Sequence, residues 1–449
     1  MNTDEYKLEP IFDFNTCESS VLLNRGRAEI CIDGNTYTGN GEVRLDLLPR
    51  GRLNYYGRFQ GLPFDDAVMP ITGQKKISSF SINGCQVQGF AVNIGGGETS
   101  QEMKVKWCAS TEPVIGLGDE STQMIRIVFH LFNFTDLIGT QRSMKQIGTS
   151  MNAIEHVDLA CDGWKVELKS LLSTRDNIKA LKAEGGYRLT HVGSLEKADS
   201  IPFSGKDADD HLKALRFFLS FAKGGWCAPI CVVGYDASGN RTWESWSSPK
   251  EPWHTPPSWF DPHNSSQMVV LFPGFMTRWA NEDWSKALRE VIYWYLNANH
   301  SSRGIDAGII LAQAAIERLS YEFVVKDRRL LTVNGFKDLW ASDKFRLLFS
   351  SLGIPLDIPA ETPELQNLAT KGQMNWLDAT HAITEIRNSL VHPEHKRHGQ
   401  FVRGYYEAWN LSLWYLEMSI LAICGYSGTY SNRLKQRWVG EVEDVPWKK

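Results

Sequence analysis

Arg387 and His392 stand five residues apart in the run Glu385-Ile386-Arg387-Asn388-Ser389-Leu390-Val391-His392-Pro393. A guanidinium stays charged and can grip a phosphate through two parallel N–H donors, while an imidazole moves protons near neutral pH. Asn388 adds an amide able to orient its neighbours. Arg387, Asn388 and His392 are therefore the candidate catalytic residues. On a regular helix at about 100° per residue, Ile383, Ile386 and Leu390 form a buried stripe. His381, Glu385, Asn388 and His392 form a polar one. Arg387 lies roughly 140° around the axis from His392, so an unbroken helix cannot aim both at one small ligand. Either Pro393 biases His392 out of helical geometry, or a second copy of the chain completes the constellation.

The following loop carries His395, Lys396, Arg397 and His398, with Arg403 beyond. Beside a phosphate-handling motif, Lys396, Arg397 and Arg403 are candidate contacts for an RNA backbone. Without that motif the loop reads as a solvated turn. His392, His395 and His398 recur every three residues, as metal ligands can. Pro393 and the lack of an adjacent carboxylate pair, with only Glu394 close by, argue against a metal there. A structural alternative stays open: Arg387 pairs with Glu317 or Glu385 inside a bundle, and His392-Pro393 merely ends a helix.

Helical periodicity sets the frame for these residues. Asn281 to Asn299, Asp306 to Val325, Phe336 to Leu352, Asn375 to Val391 and Phe401 to Cys424 each predict a helix, and Gly353 to Pro363 an irregular loop. Upstream, Pro249, Pro252, Pro256, Pro257 and Pro262 crowd a connector that Trp253 and Trp259 pin to a neighbouring surface. Before it, Asp207-Ala208-Asp209-Asp210 opens a helix that Gly224-Gly225 ends. Ile230 to Tyr235 and Arg241 to Trp246 form a hairpin whose turn residue is Asp236. The first 150 residues alternate as strands, with hairpin turns at Asp33-Gly34-Asn35 and Asn83-Gly84 and a flexible turn at Gly95-Gly96-Gly97. The expected fold is multidomain α+β. A β-rich N-terminal domain, sandwich or barrel-like, spans residues 1–150 and a mixed α/β region spans 151–262. An all-α bundle spans 263–449, with its core at 303–424.

With 449 residues, 42% hydrophobic and 22% charged, the chain has ample material for several buried cores. A net charge of −4 excludes a protein built wholly as a nucleic-acid clamp and leaves room for a local basic patch. The eight cysteines are scattered; Cys227 and Cys231 flank Ala-Pro-Ile, which suits a buried strand better than a zinc knuckle. The start of the sequence lacks the basic and apolar regions of a signal peptide, and Glu417 interrupts the longest apolar stretch. A cytoplasmic protein without membrane contact is expected.

Taken with Leu311-Ala312-Gln313-Ala314-Ala315-Ile316-Glu317-Arg318-Leu319 in an earlier helix, the 385–393 run resembles the RNxxxH signature of the HEPN superfamily, ApeA-like members in particular. The tail Val445-Pro446-Trp447 is also familiar from such proteins. The resemblance covers roughly the last third of the chain. It implies a helical bundle that forms a homodimer or higher homo-oligomer, with two motifs facing one cleft. It implies metal-independent cleavage of RNA through the 2′-hydroxyl, without a cofactor, in phage defence or as a toxin. Arg387, Asn388 and His392 would be catalytic, Glu317 and Glu385 supporting. The β-rich front would be regulatory, sensing a phage-derived or cellular trigger. Many HEPN domains only bind ligands or partners, so a non-catalytic dimerisation module stays open, as does a metal-dependent hydrolase using the histidine loop.

Overall fold

The computed structural model describes residues 8–14, 20–63, 65–66, 70, 76–96, 102–147, 150–371, 374–392, 394, 397 and 399–448. Two antiparallel sheets and a helical region make three layers. The first sheet holds β1 (Ser20–Ile32), β2 (Asn35–Asp46), β3 (Arg52–Phe59), β4 (Ile77–Ile82), β5 (Cys85–Val87), β6 (Gly89–Gly96) and β7 (Met103–Ala109). Their order is β5-β4-β1-β2-β3-β7-β6. At the expected hairpins the chain turns with positive φ on both central residues, 46° and 90° at Asp33-Gly34 and 51° and 79° at Asn83-Gly84. This is type I′ geometry, whose twist matches that of the flanking strands. Gly95 and Gly96 end strand β6 and do not form the expected turn, while Gly97 lies outside the described residues.

The chain passes to the second sheet between Ala109 and Val114, whereas the sequence draws the end of the β-rich domain near residue 150. The new strands are β8 (Val114–Leu117), β9 (Gln123–Met124), β10 (Arg126–Phe132), β11 (Gln141–Ile147), β12 (Ser150–Cys161), β13 (Trp164–Ser170), β14 (Leu189–Lys197), β15 (Phe203–Ser204), β16 (Ile230–Tyr235) and β17 (Arg241–Trp246). Eight of them order as β11-β12-β13-β14-β10-β16-β17-β8, and β9 pairs with β15. Strand alternation gives this sheet two apolar faces. Ile230, Cys231 and Val233 join a core with Val43, Leu45, Tyr55 and Trp107 of the first sheet. Ile127, Phe129, Leu131 and Val232 join the core of the helices. The second sheet is therefore a shared partition between a β-sandwich and a helical layer.

Helix α1 (Thr174–Glu184) precedes β14 and α2 (Gly205–Lys223) precedes β16. A reciprocal cap starts α2: the Asp207 N–H donates to Ser204 Oγ and the Ser204 N–H to the Asp207 carboxylate. Asp207 is thus in the third helical position, and Gly224 closes the helix in the left-handed region. The connector is pinned as expected: Trp259 Nε1 donates to the Phe221 carbonyl at 3.2 Å and Ser258 Oγ to that of Ala222 at 2.6 Å.

Beyond it lie α3 (Ser266–Ala280), α4 (Glu282–Ala298), α5 (Ile305–Tyr321), α6 (Val333–Lys337), α7 (Ala341–Leu352), α8 (Pro363–Thr370), α9 (Ala379–Val391) and α10 (Tyr405–Ile423). Three helices depart from the sequence expectation. Helix α3 carries Pro273 in its interior, α8 forms where a loop was expected to give way, and the predicted 336–352 helix splits at Asp338. A π-helical turn, Glu322–Asp327, extends α5. No described helix is long and apolar enough to cross a membrane.

The helices and the connector meet at a buried ion pair. Glu417 of α10 takes Arg433 Nε at 2.9 Å and a second guanidinium N–H at 2.5 Å, and both side chains are wholly buried. Tyr295 of α4 donates to the same carboxylate at 2.5 Å. Arg433 reaches Asn299 Oδ1 at 3.2 Å and the Pro257 carbonyl at 3.1 Å. Asn299 Nδ2 donates to the carbonyls of Gly224 (2.9 Å) and Pro257 (2.8 Å). Burial alone would pull the Arg433 pKa down; Glu417 carries it net upward, so the guanidinium stays charged. Arg433→Ala would strand a carboxylate without water, so unfolding in urea should show a loss of about 3–5 kcal/mol. A loss under about 1 kcal/mol would contradict that assignment.

Two buried histidines set an acid limit. His130 accepts the Ile11 N–H at Nε2 (3.0 Å) and donates from Nδ1 to the Cys231 carbonyl (2.9 Å), so only its neutral form satisfies both. His191 packs edge-on to Phe134, and its ring nitrogens find no hydrogen-bond partner among the described residues. Burial pushes His130 down to about 4 and His191 down to about 3. Their folded pKa values lie below the unfolded value of about 6.5, so the stability they confer is complete above it and is lost as pH falls. Between about pH 6.5 and 5 stability should fall, and His191→Leu should flatten the slope by up to about 1.4 kcal/mol per pH unit. Parallel urea titrations of the two proteins measure it.

Candidate functional site

Helix α9 is fixed from its first turn. Asp378 caps it, accepting the His381 N–H at 2.9 Å, and holds Arg346 of α7 in a two-pronged grip at 2.6 and 3.1 Å. That grip keeps the Asp378 carboxyl below its usual range although burial opposes it. Ala379, Ala382, Ile383 and Ile386 face the core, and Leu390 is half-buried against it. From α5, the buried Gln313 donates to the Ile383 carbonyl at 2.7 Å, which locks the helix in register. The apolar stripe therefore falls where the periodicity puts it.

The polar residues divide into two groups. Glu385 accepts from Trp376 Nε1 and from Arg397 at 2.8 Å. Glu317 of α5 accepts from Lys344 of α7 at 2.7 Å. Both carboxylates once open to Arg387 are thus matched by other cations. Arg387 instead donates to Asn388 Oδ1 at 3.1 Å and meets no carboxylate among the described residues. A neutral amide leaves its charge uncompensated among the described residues. The ion-pair alternative is not what the bundle builds.

His392 ends α9. Its N–H still bonds the Asn388 carbonyl at 2.9 Å, but its backbone is extended, with φ −110° and ψ 98°. The residue before a proline is pushed out of the helical region in this way. The ring is about half exposed, with Nδ1 3.8 Å from the Glu394 carboxylate. Asn388 thus lies in the last turn of α9 and His392 caps its end, with Arg387 five positions before His392 and no Arg387–His392 hydrogen bond among the described residues. Of the expected RNA contacts, Arg403 is exposed, Arg397 is tied to Glu385, and Lys396 lies outside the described residues. So do Pro393, His395 and His398.

The sequence reading missed a second group, Glu251, His254 and His300, which gathers where the connector meets the end of α4. Its one sequence signal is the Glu251-Pro252-Trp253-His254 spacing, because His300 comes from a separate element.

Comparison with known proteins supplies names for the regions. A family model described as the YopA central domain matches residues 119–256, most of the second sheet with α1 and α2. Another, described as the YopA C-terminal domain, matches residues 281–444, from α4 past Arg433. The chain is 28% identical over 418 residues to the SPbeta prophage-derived uncharacterized protein YopA of Bacillus subtilis (strain 168), covering 91% of this chain and 90% of that protein. No solved structure matches the chain. The likeness to YopA thus runs through both sheets and the helical layer.

Proposed function

We propose that the chain is a HEPN-type endoribonuclease that cleaves RNA without a metal ion, with Arg387, Asn388 and His392 as its working residues. The observation that carries this reading is the Arg387 guanidinium, which meets no carboxylate among the described residues, five positions before a half-exposed imidazole. His392 would take the proton of a ribose 2′-hydroxyl or protonate the leaving 5′-oxygen. Arg387 would stabilise the charge on the phosphorane-like transition state. Asn388 holds the guanidinium in place, and Glu385 anchors the following loop through Arg397. A prophage-derived relative fits a role in phage defence or as a toxin. The β-sandwich, joined to the helices through the second sheet, is the region that would meet a trigger.

A homodimer through the helical domain belongs to the same reading. Exposed apolar side chains flank the motif, Val391 next to His392 and Leu377, Val402 and Tyr406 around the loop. A second copy covering them would bring two motifs to one cleft.

Purified protein with RNA in excess chelator should yield 2′,3′-cyclic phosphate ends, while DNA of the same sequence survives, because it lacks the nucleophile. Cleavage of both strands would overturn the mechanism, and stable RNA binding without cleavage would favour a non-catalytic HEPN module. Arg387→Ala and His392→Ala should each lower the cleavage rate by about 10²-fold or more. Their melting should stay within about 0.5 kcal/mol of wild type, since neither residue closes a buried ion pair. A large stability loss with unchanged specific activity would return Arg387 to a structural role.

Mixed dimers of wild-type and His392→Ala chains test the shared cleft. They should lose most activity although half the histidines remain; retention of half would place each site within a single chain.

A further inference from the structure

We infer that Glu251, His254 and His300 form a binding site for a divalent transition-metal ion, zinc foremost, that fastens the connector to the helical layer. Their nearest ligand atoms all lie within 4.8 Å of one another, and Glu251 Oε1 is 3.5 Å from His254 Nε2. Two ligands on a tetrahedral ion, with bonds of about 2.0–2.1 Å, sit roughly 3.3–3.5 Å apart, so that pair is already at ligand spacing. One carboxylate and two imidazoles suit zinc and its neighbours in the first row, and suit magnesium and calcium poorly.

The outer partners are those a metal site needs. His254 Nδ1 lies 3.3 Å from the Pro252 carbonyl, and His300 Nδ1 lies 2.8 Å from Ser302 Oγ. Each ring thereby engages Nδ1 and keeps Nε2 for a ligand. The imidazole centroids are 4.6 Å apart at 34°, with no hydrogen bond between the rings to explain the pairing. The Trp226 N–H braces Glu251 Oε1 at 2.5 Å. Gly225 supplies the space: a Cβ there would meet His254 Nε2 at 2.9 Å and Glu251 Oε1 at 3.0 Å. His254 also lines a cavity of about 230 Å³ with Lys223 and Arg437, an approach for the ion and for a water in the fourth position.

The ligands come from two elements, with Glu251 and His254 on the connector and His300 beyond α4. Asn299, which binds Gly224 and Pro257, is the neighbour of His300. An ion here would reinforce the junction that the Glu417–Arg433 network organises, without touching the α9 motif.

Untagged, chelator-stripped full-length protein, titrated calorimetrically with Zn²⁺, should bind one ion per chain and melt at a higher temperature when loaded. Co²⁺ in its place should develop visible absorption typical of four or five ligands. His254→Ala and His300→Ala should abolish both signals, Glu251→Gln should weaken binding at least tenfold, and Mg²⁺ should not bind. His395→Ala with His398→Ala should change nothing. Should the histidine variants fail to fold, Ser302→Ala must still weaken zinc binding by about tenfold, as loss of an outer partner does. Absence of zinc uptake, or uptake unchanged in the His254 and His300 variants, would overturn the site.

Discussion

The arrangement of this chain depends on a charge pair sealed from water. Glu417 lies wholly buried among the apolar side chains of α10, where an unpaired carboxylate would be prohibitively costly. Arg433 matches it with two parallel bonds, and its remaining donors go to Asn299 and Pro257. Each of those partners belongs to a different part of the chain. The pair forms only when α10, the end of α4, the connector and the cap of α2 are all in place. A leucine pair of similar volume could fill the same space but would not impose that condition. The ionic network ties the connector to α4 and α10, and the apolar core around it supplies most of the burial.

That constraint shapes the candidate site indirectly. Helix α9 packs on α5, α7 and α10, and α10 is held at its middle by Glu417. Within this frame the carboxylates around α9 are paired: Asp378 with Arg346, Glu385 with Arg397, and the half-exposed Glu317 with Lys344. Against that background Arg387 stands out for lacking an acidic counterpart among the described residues. A bundle optimised only for stability has several carboxylates within one or two turns that could have neutralised it. Leaving the guanidinium beside an amide fits a cation kept for something outside the chain.

Much of this was legible in the sequence where the signal is local. The hairpin β16–β17 falls at the residues expected, because alternation and the Asp236 turn are encoded side by side; Asp236 Oδ1 accepts from Ser238 and Asn240 as a turn residue should. Asn281 and Asn299 bound α4 as caps. The extended His392 follows from Pro393 alone. The misses have a common cause in tertiary packing. Helix α3 tolerates Pro273 because its apolar face, Met268, Leu271, Phe272 and Phe275, is buried in the shared core, which outweighs one lost backbone bond. The partition of strands between two sheets depends on pairings such as β10 with β14 and β16, far apart in sequence and invisible to periodicity. The partners of Glu317 and Glu385 were equally hidden, since Lys344 and Arg397 reach them from other elements.

The same layering limits how the front of the chain can speak to its end. The first sheet reaches the helices through the second, whose two faces are both close-packed against neighbours. Close-packed layers shift as bodies and deform little, so an event at the first sheet cannot be absorbed by soft motion inside the partition. Beside this packing, the connector joins the helices through Gly224, Pro257 and Asn299. Three of the four protein groups around Arg433, namely Asn299, Pro257 and Tyr295, belong to the connector or to α4. Any displacement of the connector relative to α4 or α10 must therefore stretch bonds to one buried guanidinium. Breaking that network would leave Glu417 buried without its cation, a cost that holds the connector and the helices in one arrangement.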